Sequence, residues 1–121
     1  MLGWGYPPNI TGGLDVHVGE LFSGLRDDLG VDATLVLPAE FAPDDEPGLE
    51  PVETGEGDVA TRVERLSDRF AELAPGHDVI HTHDWFGYAP GRQAARESDA
   101  TWVSSFHSLA SDRNIDPPKR E

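Results

Sequence analysis

Gly3-Trp4-Gly5-Tyr6-Pro7-Pro8-Asn9-Ile10-Thr11-Gly12-Gly13-Leu14-Asp15-Val16-His17-Val18 opens the chain and decides its fold. An aromatic, proline-rich loop closes on a double glycine, and Leu14, Val18, Leu21, Phe22, Leu25 and Leu29 then recur at helical spacing. That spacing predicts a helix from Gly13 to Leu29, stopped by Gly30. A glycine loop running into a helix puts bare backbone N–H groups at the positive end of the helix dipole, where an anion such as a phosphate is favoured. The bland alternative for Gly12 and Gly13 is a tight turn that needs positive φ.

Working outward, Val31–Leu37 reads as a largely buried strand ended by Pro38. From Pro38 to Gly57 the chain carries four prolines and the acids Glu40, Asp44, Asp45, Glu46, Glu50, Glu53 and Glu56. This stretch is expected to be a solvated loop or insertion without chemistry. Asp58 is placed to cap a second helix, whose apolar positions are Val59, Val63, Leu66, Phe70 and Leu73 and whose end is Pro75-Gly76. Asp78–Thr82 reads as a short strand, about Gly87–Glu97 as a third helix, and Thr101–Phe106 as a further strand. The alternation predicts an α/β domain over residues 1–121: a Rossmann-like parallel sheet flanked by helices. A helix entered through a glycine loop belongs after a strand, yet only Met1–Trp4 precede this loop. The expectation is therefore a domain truncated at both ends, with a stub for its first strand.

Composition bounds the function. Twenty-three Asp and Glu face nine Lys and Arg, a formal net charge of −14, and Lys119 is the lone lysine. Such a surface repels phosphate backbones, so nucleic acid is not an expected partner. Acid spread over loops and helices, with almost no lysine, is expected of a protein from a salt-in halophile, where concentrated cations screen the self-repulsion. There is no cysteine, which excludes disulfides and thiolate metal sites. The chain shows no basic, apolar leader and no run long enough to span a bilayer, and the expected location is the cytoplasm.

In an open parallel sheet, ligands bind beyond the carboxyl ends of the strands. Three segments fall there: Thr11-Gly12-Gly13, His81-Thr82-His83-Asp84-Trp85, and His107-Ser108 after Val103-Ser104-Ser105-Phe106. Alternation puts His81 and His83 on one strand face, so a metal pair is conceivable. The metallohydrolase pattern it approaches needs a differently placed Asp and a further His, and no metal site is expected. His81, after Val79 and Ile80, also reads as a core histidine, and His17 as either cleft-facing or solvent-facing.

The Tyr-Pro-Pro…Gly-Gly-Leu-x-Val-His-Val context, with His83-Asp84 at a later strand end, resembles the N-terminal half of GT-B glycosyltransferases of the family 4 and glycogen/starch synthase group. In the synthase branch a lysine commonly precedes the Thr-Gly-Gly, where this chain has Ile10, and a glycine is usual at Asp15, whose carboxylate competes for the same helix N-terminus. The resemblance implies transfer of a hexose from a nucleotide sugar (UDP-, ADP- or GDP-linked) to a hydroxyl acceptor (glycan, lipid or small molecule), with retained configuration and no cofactor or metal. It implies that His83 and Asp84 are the catalytic-side residues: His83 donates a hydrogen bond that places the transferring sugar, and Asp84 orients the loop or bonds acceptor hydroxyls. Thr11, Gly12 and Gly13 are implied at the donor diphosphate, and His107 and Ser108, which resemble a strand-end segment of the family, are implied as donor-binding, the alternative for these two being a polar loop. It further implies a second, C-terminal Rossmann-like domain that supplies most nucleotide contacts, so this polypeptide alone is expected to be inactive. The alternative is a non-catalytic module that binds sugar or a partner, or a decaying gene fragment.

Overall fold

The computed structural model describes residues 1–44, 46–84 and 87–105. Among these residues four short strands and three α-helices follow in chain order: α1 (Gly13–Ser23), β1 (Leu35–Pro38), β2 (Leu49–Val52), α2 (Val59–Leu73), β3 (Val79–His83), α3 (Tyr88–Arg96) and β4 (Thr101–Ser105). β1 pairs in parallel with β2 (Leu35 opposite Leu49), and β3 with β4 (Val79 opposite Thr101). The segment Met1–Gly3 joins the two pairs. Leu2 bridges Val36 in parallel, the Gly3 N–H donates to the Val36 carbonyl (2.8 Å), and the Leu2 N–H donates to the His81 carbonyl (3.0 Å). The spatial order is therefore β2, β1, Met1–Gly3, β3, β4, with the first segment in the middle, as in doubly wound sheets. The short N-terminal segment, expected as a stub of the first strand, thus stands at the centre of the sheet.

Chain direction explains the layers. Leaving the centre toward β1 and later toward β4 sends right-handed crossovers over opposite faces. On one face, Val18 and Phe22 of α1 pack with Leu35, Leu37 and Tyr6. On the other, Leu66, Phe70 and Ala71 of α2 and Ala94 of α3 pack with Leu2, Val36 and Ile80. Alternation along β1 sends Leu35 and Leu37 to α1 and Val36 to α2.

Two expectations are corrected. The helix expected to run to Leu29 stays α-helical only to Ser23 and widens into a π turn over Gly24–Asp28, where the Leu29 N–H reaches the Gly24 carbonyl (3.2 Å). There Arg26 reaches across to donate to the Ala33 carbonyl (2.6 Å), and Gly30, at φ +65°, ends the element as expected. The acidic stretch also holds a strand. Its only apolar residues in β2 are Leu49 and Val52, and an edge position tolerates Pro51, so the alternation was too weak to read. Arginines on α2 tie the stretch down: Arg62 pairs with Glu40, Arg69 with Glu50 (2.6 Å), and Arg65 donates to the Glu56 carbonyl (3.1 Å). Among the described residues no helix is long and apolar enough to cross a membrane.

Candidate functional site

The strand order reverses beside Met1–Gly3, so the loops leaving that segment and β3 flank the topological switch point where such sheets hold ligands. The first loop folds back on α1. Pro7 lies against Gly19, where an added Cβ would meet the proline ring at 3.0 Å, and Tyr6 meets Phe22 edge-on at 6.3 Å between centroids. The Tyr6 hydroxyl donates to Glu46 (3.3 Å), and burial raises its pKa above the usual phenol value. By packing in this way the aromatic-proline run fixes where the double glycine sits.

At the head of α1 the decisive side chain is Asp15. It is 3% exposed, and its carboxylate accepts from the Gly5 N–H (3.1 Å), the Thr11 N–H (2.6 Å), the Thr11 hydroxyl (2.6 Å) and the Gly12 N–H (3.2 Å). Gly5 is required for this, because a Cβ there would lie 2.1 Å from the Asp15 oxygen. Gly12 is not held in a glycine-only conformation: its φ of −178° is extended backbone, and a Cβ on Gly12 or Gly13 would meet open space. The tight-turn alternative therefore fails at both. What the pair contributes is a bare outer edge.

At the end of β3, Thr82 and His83 are fully buried and point to opposite faces. Thr82 accepts a hydrogen bond from the Trp102 indole (2.9 Å) on the α3 side. His83 lies on the α1 side with its ring centroid 4.4 Å from His81 and 6.4 Å from His17 of α1. His81 shares a 2.7 Å hydrogen bond with the Ser105 hydroxyl, which makes it a bonded, half-buried residue of the sheet. Among the described residues no group of three or more His, Asp or Glu is arranged to hold a metal ion. Asp84 follows at φ +54°, a left-handed conformation that Asp tolerates better than most residues. Its N–H donates to the Ser105 carbonyl (2.8 Å), and its carbonyl accepts from the Gly87 N–H (3.3 Å). The turn therefore fastens the end of β3 to the end of β4.

The structure brings together on one sheet edge Thr11, Gly12, Gly13, His83 and Asp84. His107 and Ser108, also expected there, lie outside the described residues, as does Trp85. Sequence reasoning underweighted His17, whose exposed ring stands against His83; its signal was the place of His17 on the first turns of a helix leaving the loop. It also missed the neighbouring group of Trp4, Phe41 and Arg62. The Arg62 guanidinium lies 5.1 Å from the Trp4 ring centroid, and Phe41 6.1 Å from it. A small hollow of about 170 Å³ adjoins this group between Ala39-Glu40 and Glu53–Gly55. A larger open hollow, about 510 Å³, lies at the other edge among Pro75–Asp78 and Arg96–Asp99, and Thr11, Gly12, Gly13, His83 and Asp84 do not line it.

Comparison with known proteins falls on the same stretch. Residues 12–121 match the glycosyl transferase 4-like domain family. Alpha-maltose-1-phosphate synthase of Mycobacterium tuberculosis (strain H37Rv) is 33% identical over 107 residues, covering 86% of this chain and 26% of that protein. Glycogen synthase of the same strain is 27% identical over 142 residues, covering 94% of this chain and 34% of the relative. The chain thus spans between about a quarter and a third of the length of these relatives. No solved structure matches it.

Proposed function

The chain belongs to the glycosyl transferase 4-like family, and from that premise we propose that it forms the acceptor side, and part of the diphosphate side, of a retaining hexosyltransferase. The observation that carries the reading is the convergence of two independent loops, Gly5–Gly13 and His83-Asp84, on the carboxyl edge of the sheet at its switch point. The relatives' names support a carbohydrate product, a maltose phosphate in one and glycogen in the other.

In this reading the bare edge at Gly12 and Gly13 lets the donor approach the backbone closely, and His83 donates a hydrogen bond that places the transferring sugar. His83 is fully buried, with His17 beside it, so the His17 ring forms the rim past which a sugar reaches it. Asp84, held in its turn by Ser105 and Gly87, bonds acceptor hydroxyls. Catalysis rests on positioning and on electrostatic stabilisation of the departing diphosphate, without a metal. Much of that stabilisation belongs to a second Rossmann-like domain, and the 121-residue chain alone is inactive.

The test is calorimetry and a transfer assay on the purified chain, with UDP-, ADP- and GDP-glucose as donors and maltooligosaccharides as acceptors. Binding that His83→Ala weakens, with no detectable transfer, is the expected result. Sugar transfer by the chain alone would overturn its inactivity. Absence of binding to every sugar and nucleotide sugar would overturn the site.

A further inference from the structure

We propose that His17 is the gate of the candidate site: in the free chain its imidazole closes the α1 side of the buried His83, and it turns aside over the exposed face of α1 when a sugar enters. That a sugar is what enters rests on the glycosyltransferase reading. The gate itself stands on the geometry of this chain.

His83 ends β3 at the carboxyl edge and is fully buried, so its ring can donate to a ligand only after a neighbour moves. Most of its surroundings are fixed. His81, with its ring centroid 4.4 Å away, is held by the 2.7 Å hydrogen bond with the Ser105 hydroxyl and by the pairing of β3 with β4. Asp84 is tied to β4 through its N–H on the Ser105 carbonyl (2.8 Å). The body of α1 is fixed as well, because Val18 and Phe22 are buried with Leu35 and Leu37, and Pro7 lies against Gly19. The His17 side chain is different. Its ring stands edge-on to His83, 6.4 Å between centroids and 79° between planes, yet it belongs to an exposed residue of that well-seated helix. A change of rotamer at an exposed helix position leaves every backbone hydrogen bond in place and is fast.

A second observation places the ligand's approach at the same residue. Residues four apart share one face of a helix, and Cα–Cβ bonds tilt toward its N-terminus, so the His17 side chain leans toward Gly13. Nothing lies within 4 Å of a Cβ built at Gly13, which leaves that end of the face open. A ligand seated along the bare glycine edge therefore meets His17 before it meets His83. The buried donor and the open edge are two ends of one path, and the His17 ring stands between them.

The probe is diethyl pyrocarbonate, which acylates accessible imidazole nitrogens, applied to the full 121-residue chain with each modified histidine located by mass spectrometry of its peptide fragments. His77, exposed at the opposite edge, is the internal reference. In the parent, His83 should react about tenfold more slowly than His77 or slower still, as for a group whose open state is a minor population. His17→Ala should raise the His83 rate about tenfold or more and leave His77 unchanged. His17→Phe, which keeps a flat ring at that place, should keep His83 slow. An exposed helix position tolerates either residue; should His17→Ala lose the parent's circular dichroism, His17→Gln takes its place with the same expectation. A slow His83 in the folded ringless variant, a fast one in His17→Phe, or a His83 as reactive as His77 in the parent would overturn the gate. In calorimetry with UDP-glucose, His17→Ala should bind at least as tightly as the parent, because no closed state competes. No binding by either chain, with His83 opened in the variant, would remove the glycosyltransferase reading and leave the gate standing.

Discussion

The two faces of the sheet are finished differently. Under α2 and α3 the packing is continuous from β1 to β4: Leu66, Phe70, Ala71 and Ala94 close over Leu2, Val36 and Ile80, and Gly91 lets α3 settle onto the Trp102 indole. On the other face α1 roofs only the side of β1, and β3 and β4 leave Val79 at 53% and Val103 at 42% exposure. One strand shows both treatments. Ile80 and Thr82 are sealed beneath α3, whereas His81 and His83 look toward the side where the roof ends at His17. The lesson is that the candidate site residue His83 sits where one helix stops short, on a sheet whose other face carries most of the apolar packing.

The sharpest way to break that comparison is to hollow each packed layer. Leu66→Ala, under the continuous roof, should cost about 2–5 kcal/mol, and Phe22→Ala, under α1, about 3–5 kcal/mol, by urea denaturation. A loss below about 1 kcal/mol at Phe22 would mean that α1 is only loosely seated. Next in size is Gly91→Ala. Its Cβ would lie 2.3–2.6 Å from the Trp102 indole atoms, so α3 must lift and the change should cost about 1–3 kcal/mol.

A smaller effect is expected from Asp58, which caps α2 by accepting from the Thr61 N–H (2.8 Å) and whose pKa lies below the ordinary 3.8 for that reason. The shift is downward in the folded state. The cap therefore stabilises fully above the unfolded pKa and is lost as pH falls through the folded one. Thermal melts of parent and Asp58→Ala should differ at neutral pH and converge in acid below that range. The smallest effect belongs to the open face: Val79→Thr and Val103→Thr should stay within about 0.5 kcal/mol of the parent. A large loss at either would show that this face is covered in solution.

How much was legible followed the strength of local signals. Asp58, the three-four rhythm of Val59–Leu73 and the Pro75-Gly76 stop defined α2 as observed, and Val79–His83 and Thr101–Ser105 lay within a residue of their expected positions. β2 was not legible, because an edge strand with two apolar residues and a proline carries no alternation, and its partners arrive from β1 and from arginines on a later helix. The spacing Arg62, Arg65, Arg69 along one helical stripe, opposite an acidic stretch, was the available hint. For the site, sequence order placed Gly12, Gly13, His83 and Asp84 on one edge, since strand ends converge there in any parallel sheet. It did not show that Asp15 gathers four donors, because hydrogen bonds to Gly5 and Thr11 depend on how the loop folds back. Nor could local sequence reveal that His17 lies against His83, a contact made across the sheet edge.

The central claim is that the carboxyl edge at the switch point, and not the larger hollow at the opposite edge, is where this chain meets sugar. Amide shift mapping of the ¹⁵N-labelled chain during titration with UDP-glucose and with maltooligosaccharide tests it most directly. The account predicts saturable shifts centred on Gly12, Gly13, His83 and Asp84. Shifts confined to Pro75–Asp78 and Arg96–Asp99, around the other hollow, would contradict it.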